Sequence, residues 1–356
     1  MKDFELFGNV EQAQNFLDSV KSGRFLLSFV MSYTQTCEIP GITIAGADSD
    51  SMKYTPPADA EYLHYGYCKT IDNIPMTPDG KPTPALLTKT ALESASIPHL
   101  TINAGSKITP QLPFVETGLS FGKNISVEPA MTDSEVSSAV EFGRIVGRNM
   151  ASLTDCLVIG ESIPGGTTTA LAVLRAFDFD AKTSSSIPTN PIKLKNEVVD
   201  SAIKRIDSDH PYSILAKVGD PMIAFVAGML SSASAVSKVM LAGGTQMTAV
   251  LAFASKIGFN EENTAIGTTS YITNDENANF TNLVKQIADI PAISVNPGLS
   301  NSKHSGLKAF SEGFGKEGAG AGGSIISSML KTGNDSAKFL NLAEKEYDRL
   351  SSLSKS

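Results

Sequence analysis

Near its C-terminal end the chain reads Gly315-Lys316-Glu317-Gly318-Ala319-Gly320-Ala321-Gly322-Gly323, one acidic side chain set in a run of residues too small to cover it. Such a run lets a ligand approach the backbone closely, and Glu317 is its only group able to take up a proton at neutral pH. A general base is one reading. A glycine hinge carrying a solvated Glu–Lys pair is the other, and this segment alone leaves both open.

Two more glycine clusters follow short apolar runs, the place where a parallel-sheet protein keeps its ligand loops. After Cys156-Leu157-Val158-Ile159 comes Gly160-Glu161-Ser162-Ile163-Pro164-Gly165-Gly166-Thr167-Thr168-Thr169, and then a helical pattern from Ala170. Strand, loop and helix in that order aim backbone N–H groups and a helix dipole at one spot, which favours phosphate, and the threonines add hydroxyl donors. Gly160, Gly165 and Thr167 match the spacing of G-x-x-x-x-G-K-[ST], but Gly166 stands where the lysine belongs. Without that charge the loop reads as a cradle for a monophosphate, or else as a strand-to-helix turn capped by threonine. Glu161 either reaches ribose hydroxyls or braces the loop. The second cluster, Gly243-Gly244-Thr245, separates Val239-Met240-Leu241-Ala242 from another helical stretch. Three such turns on one sheet can surround a single small ligand.

The elements that must position these loops follow from hydrophobic periodicity. From about residue 97 onward, apolar runs at 97–104, 153–159, 236–242, 264–269 and 288–295 alternate with helical patterns at 130–150, 193–206, 221–232 and 246–257. That succession predicts a mainly parallel, Rossmann-like sheet with helices on both faces. Gly143 and Gly147 within 130–150 permit close helix packing. The N-terminal part differs, with an amphipathic helix at 10–20, strand-like runs at 24–31 and 42–45, and then a proline-dense, loop-rich stretch. The segment 336–350 reads as a charged amphipathic helix that packs either on this N-terminal region or on a partner subunit.

With 356 residues the chain is long for one compact unit, which implies a main domain with an accessory part. The boundaries expected are 91–330 for the nucleotide-binding α/β domain and 1–90 with 331–356 for the smaller one. A net charge of −8 with no basic stripe argues against a nucleic-acid surface, and Lys193, Lys195, Lys204 and Arg205, interleaved with Glu197 and Asp200, read as an exposed helix face. Cys37, Cys68 and Cys156 are too few and too scattered for a disulfide framework or a zinc site, so a reducing, cytoplasmic setting is expected. No apolar stretch has the length of a bilayer span and the opening residues lack a signal-peptide core, so no membrane role is expected. His64, His99 and His210 read as packing or turn residues. His304 lies nearest in sequence to Glu317, with Ser305 and Gly306 beside it as candidate substrate contacts, although a surface loop explains it as well.

Together the three loops, Gly160–Thr168, Leu241–Met247 and Lys316–Gly323, resemble those of nicotinate-nucleotide:dimethylbenzimidazole phosphoribosyltransferases, particularly the archaeal branch. Ile39-Pro40-Gly41-Ile42 and Tyr54-Thr55-Pro56-Pro57-Ala58-Asp59-Ala60-Glu61 add to the likeness. The resemblance implies transfer of a phosphoribosyl group from nicotinate mononucleotide to a benzimidazole-type base, giving α-ribazole phosphate for the lower ligand of cobalamin. It implies that Glu317 is the base, and that Gly160, Glu161, Gly165, Gly166, Thr167 and Thr168, with Gly243, Gly244 and Thr245, hold the nucleotide. Lys316, Gly318 and Gly320 are further candidate substrate contacts. It also implies a three-layer α/β/α fold with a smaller domain from both chain ends, a homodimer, and no cofactor. No metal is expected, because no acidic pair precedes the loop as a diphosphate-dependent transferase would need. A P-loop-like nucleotide enzyme and a non-catalytic sensor of a nucleotide or corrinoid are the alternatives.

Overall fold

The computed structural model describes residues 3–43, 50–72, 74–77 and 79–353. Its centre is an eight-stranded sheet of β1 (Phe4–Phe7), β2 (Phe25–Met31), β3 (His99–Asn103), β4 (Val115–Glu116), β5 (Cys156–Ser162), β6 (Lys238–Ala242), β7 (Thr264–Thr269) and β8 (Ala292–Val295). The order across the sheet is β1-β8-β7-β6-β5-β2-β3-β4. Only β1 is antiparallel to its neighbour; the other pairs are parallel, with Leu27 opposite Val158 and Met31 opposite Ser162 where β2 meets β5. From β2 the chain winds outward to β3 and β4 on one side, then returns to lay down β5 to β8 on the other. The winding therefore reverses between β2 and β5, and a reversal opens a crevice at the C-terminal strand ends because the flanking connections leave on opposite faces.

Both faces of the sheet are covered, so the strands read as continuous apolar runs. Alternate side chains enter two separate cores, as the two-residue period of a strand requires. Leu157 and Ile159 of β5, with Val30, Leu241 and Ile266, pack beneath helices Asp133–Ala151, Gly166–Ala176, Pro221–Ala233 and Thr245–Ile257. Val158, with Leu27, Phe29, Met240 and Ile293, packs beneath Val10–Val20, Ala85–Ala95, Ala321–Thr332 and Ser336–Leu353. The Asp133–Ala151 helix opens on a capping box between Thr132 and Glu135, and its Gly143 and Gly147 sit directly on the backbone of the Pro221–Ala233 helix. Among the described residues no helix is long and apolar enough to cross a membrane.

Several expectations need correction. β5 runs through Ser162 instead of ending at residue 159, so Gly160 and Glu161 are strand residues. The proline-dense stretch is not mainly loop. It holds helices Thr55–Tyr65 and Ala85–Ala95, because Pro56 and Pro57 occupy the first turn and Pro84 the N-cap, where no intrahelical N–H bond is lost. Of the expected strand at 42–45, Thr43 carries no strand assignment and residues 44 and 45 lie outside the described residues. The first ninety residues supply β1 at one edge of the main sheet and β2 in its interior, between β5 and β3. The chain ends do meet: Glu346 accepts a hydrogen bond from Tyr62 (2.6 Å), Arg349 donates to the Gly66 carbonyl (2.6 Å) and Tyr347 to that of Gly80 (2.8 Å). The C-terminal helix therefore packs on the N-terminal region.

One contact fixes what crosses the crevice. A Cβ on Gly160 would stand 2.7 Å from the Gly320 Cα, so β5 and the loop before the Ala321–Thr332 helix touch backbone to backbone. Gly160→Ala is expected to destabilise the fold by about 3 kcal/mol, the upper range for forced overpacking. Gly333→Ala, at φ +72° with open space around it, should cost only about 1 kcal/mol for the left-handed backbone. Denaturant titration of both variants checks this; equal losses would show that the sheet and loop are not in tight contact.

Candidate active site

The loop carrying Glu317 turns back on itself through a run of left-handed residues, Gly318 (φ +147°), Ala319 (+53°) and Gly320 (+74°), which caps the Ala321–Thr332 helix. Glycine suits positions 318 and 320 because L side chains rarely adopt such angles, and Ala319 is a non-glycine exception at φ +53°. The turn brings the Glu317 carboxylate onto backbone donors. Oε2 accepts from Thr269 N (2.9 Å) at the end of β7, and Oε1 from Gly322 N (2.9 Å) in the first turn of the helix that follows. Gly318 N and Thr268 Oγ1 lie at 3.4 Å. Burial pushes the Glu317 carboxyl up to about 7, against the amides of Gly322, Thr269 and Gly318, which favour its charged form. A carboxyl balanced near neutrality can both take and release a proton at ordinary pH.

All three glycine clusters converge here. β5 meets the loop through Gly160 on Gly320, and Ala319 N donates to the Glu161 carbonyl (2.9 Å). A Cβ on Gly244, the N-cap of the Thr245–Ile257 helix, would stand 3.7 Å from the Glu317 Cβ. One on Gly166 would stand 2.8 Å from the Gln246 amide nitrogen. Gly165 takes a left-handed φ of +75° and lies against Cys37, so the Gly166–Ala176 helix starts where its first amides face the crevice end of the sheet. Pro84 covers the outer side of Gly315 and Gly318.

The threonines divide their roles. Thr167 is partly exposed; Thr168 is fully buried and its hydroxyl has no hydrogen-bond partner; Thr169 donates to Asp220 (2.5 Å) and is thereby committed to the fold. Glu161 points to the same side of the sheet. Burial, with repulsion from Asp220 and Glu317 and a countering hydrogen bond from Gln246, pushes its carboxyl up to about 8. Asp220 itself, buried and bonded to Thr169 and Ile223 N, is pushed up to about 6. On the opposite side, Asp59 accepts from Ser162 (2.8 Å) and Thr83 (2.7 Å), and burial raises it to about 6. Thr245 is buried, its hydroxyl accepting from Ser184 N (3.2 Å).

One sequence reading fails here, that of Lys195. Of the residues near His304, Gly306 packs on Gly80 and Tyr347, and His304 itself stacks on the Tyr347 ring. Lys195 is not on an exposed face but 1% exposed, its ammonium donating to the Ser184 carbonyl (2.7 Å), whereas Lys193 two positions earlier projects into solvent beside Glu197. Burial and nearby Lys316 lower Lys195 to about 7. Lys316 is buried too, and pairs with Asp275 at 2.7 Å instead of with its neighbour Glu317. Sequence reasoning missed Asp59, Asp220 and Asp275. Of these Asp220 carried a signal, as an Asp directly before Pro221 at a helix start, and Asp59 stood in the Tyr54–Glu61 segment of the resemblance with no role assigned to it. Among the described residues no group of three or more His, Cys, Asp or Glu is placed to hold a metal ion.

Residues 99–270 match the family model described as Phosphoribosyltransferase. The chain is 44% identical over 328 residues to the UPF0284 protein of Archaeoglobus fulgidus, covering 92% of this chain and 94% of that relative. It is 40% identical over 336 residues to the UPF0284 protein of Sulfurisphaera tokodaii, covering 94% and 96%. Among solved structures it is similar to the nicotinate-nucleotide-dimethylbenzimidazole phosphoribosyltransferase from Thermus thermophilus, with a TM-score of 0.61 over 94% of this chain and 92% of that one. At 16% identity that likeness is one of fold.

The raised carboxyls have a consequence for stability. Burial raises the Glu161 and Glu317 carboxyls to about 8 and about 7, against 4.5 for an ordinary glutamate, so between pH 4.5 and about 8 these two groups hold more protons in the folded state than in the unfolded one. Their contribution to stability must then fall as pH rises through that window. Glu161→Gln removes one of the two groups, and its melting temperature should decline less than that of the wild type between pH 5 and pH 8. Parallel declines would show that Glu161 ionises normally.

Proposed function

We propose that this chain, which belongs to the UPF0284 protein family, transfers a phosphoribosyl group from nicotinate mononucleotide to a benzimidazole-type base, releasing nicotinate and forming an α-ribazole phosphate. The observation that carries the reading is the Glu317 carboxylate, held by the Thr269 and Gly322 amides and poised near neutrality, where the three glycine loops meet.

The chemistry requires little else. An unprotonated azole nitrogen attacks the ribose anomeric carbon from the face opposite nicotinate. The bond from that carbon to the nicotinate ring nitrogen breaks, its electron pair going to the ring, so a cationic pyridinium leaves as a neutral pyridine and no general acid is required. The alkylated azole then carries one proton too many, and Glu317 accepts its N–H proton and later yields it to water. Inversion at carbon turns a β-nucleotide into an α-product. The phosphate belongs at the turn from Gly165 to Thr168, where the Gly166–Ala176 helix dipole favours an anion; Gly166 N and Thr168 N already donate to the Ile163 and Gly165 carbonyls (3.4 and 2.9 Å), which leaves the Gly165 and Thr167 amides as its main donors. The unpartnered Thr168 hydroxyl fits a donor waiting for one. Gly243, Gly244 and Thr245 flank the ribose side with Glu161, and Gly318 and Gly320 frame the base, while the Lys316 ammonium is held by Asp275. A smaller lobe built from the chain ends, a homodimer, a cytoplasmic setting and a role in cobalamin lower-ligand assembly complete this reading. No cofactor enters the mechanism.

Glu317→Gln should lower turnover about a hundredfold or more, the scale of a lost general base, while nicotinate mononucleotide still binds. Because the base must be ionised to accept a proton, wild-type kcat/KM should rise with pH through about 7 and then level. Nicotinate release assayed with and without a benzimidazole measures both effects. Near-normal turnover of the variant would remove Glu317 from the mechanism.

Since no diphosphate leaves, a divalent cation has no charge to neutralise, and nicotinate release should persist in excess EDTA. Loss of activity on chelation with recovery in Mg²⁺ would favour a diphosphate-using reaction instead.

A further inference from the structure

The loop that carries Glu317 is rich in glycine, with Gly313, Gly315, Gly318 and Gly320 all at positive φ, and such a segment does not hold its own shape. A strap over residues 183–188 lies across it. Thr183 donates to the Thr167 carbonyl (2.9 Å), tying the strap to the nucleotide loop, and Gly315 N donates to the Ser186 carbonyl (2.9 Å), tying it to the base loop. Ser184 is the knot: its amide reaches Thr245, its carbonyl accepts from Lys195, and its hydroxyl donates to Asp275 Oδ2 at 2.6 Å. The same Asp275 oxygen accepts from Lys316 Nζ at 2.7 Å. Lys316, next to Glu317, in turn accepts a hydrogen bond from Thr269 Oγ1 at its carbonyl (2.6 Å).

A buried ion pair is weak ground for stability, because desolvation offsets its attraction and apolar replacements of similar volume are often neutral. This pair has a geometric consequence instead. It joins the two loops whose relative placement decides whether the base faces the reacting carbon, and it lies outside every chemical step described above. We infer that Asp275 is a positioning residue: through Ser184 and Lys316 it fixes the Glu317 loop against the nucleotide loop. This rests on the phosphoribosyl-transfer reading.

The test uses the full chain with Asp275→Leu and Lys316→Met combined, which removes both charges, and Ser184→Ala, which keeps the ion pair but cuts its tie to the strap. For the double variant the melting temperature should stay within about 5 °C of wild type, consistent with the near-neutral cost of swapping an ion pair for apolar groups. Its KM for nicotinate mononucleotide should change less than about threefold and its kcat should fall at least about tenfold, since misplacement by 1 Å can cost about a hundredfold. Ser184→Ala should show the same pattern, smaller. Amide hydrogen exchange over 313–322 should accelerate in both while β5 and β6 stay protected. Unchanged exchange in that loop with kcat within about twofold would overturn the inference, as would a rise in KM with loosening throughout the sheet. If the wild type released no nicotinate, the transfer reading would fail on its own, and the exchange measurement would still decide the link between the loops.

Discussion

The backbone contact between Gly160 and Gly320 is the constraint on which the site depends. A side chain on either residue would push the Glu317 loop off the sheet, because each Cα lies within 3 Å of where the other's Cβ would be. With both as glycine, Ala319 N can reach the Glu161 carbonyl, the Ala321–Thr332 helix starts directly over β6 and β7, and its Gly322 amide meets the Glu317 carboxylate. The same contact lies beside the point where the winding of the sheet reverses. Topology opens the crevice there, and close approach of two glycines puts an acidic group in it.

Around that point the protein concentrates carboxyls whose charged forms are poorly solvated. Glu161 and Asp220 lie on one side of the sheet and Asp59 on the other, with Glu317 at the strand ends. Burial dominates in all four and competes in each with hydrogen-bond donors that pull the other way; for Glu317 those donors are mainly the backbone amides of Gly322, Thr269 and Gly318.

How much of this was legible in the sequence depends on how local the determinant is. Glycine clusters are local, since the backbone angles at Gly165 and Gly320 are requirements of single residues, and they located all three loops. Hydrophobic period is also local, and it located β2, β3 and β5 to β8; β4, only Val115 and Glu116, and the edge strand β1 are too short to show a period and were missed. Burial of a polar side chain is not. Asp59 meets Ser162 across 103 residues and Asp275 meets Ser184 across 91, so neither pairing leaves a trace at its own position. Lys195 sits in a helix whose composition looks solvent-facing, yet Lys193 is exposed and Lys195 is not, because only the latter faces Ser184. The N-terminal region was misread for a related reason. Prolines that end a helix in its interior start one in its first turn, and position relative to a helix not yet identified decides between the two.

The central claim is that one crevice holds the nucleotide by its phosphate at the start of the Gly166–Ala176 helix and presents its anomeric carbon to a base poised on Glu317. A structure of the Glu317→Gln protein with nicotinate mononucleotide and a benzimidazole bound tests it most directly. The account predicts phosphate at the turn from Gly165 to Thr168, with an azole nitrogen within hydrogen-bond distance of residue 317. Phosphate bound away from that helix, or an azole seated out of reach of residue 317, would contradict it.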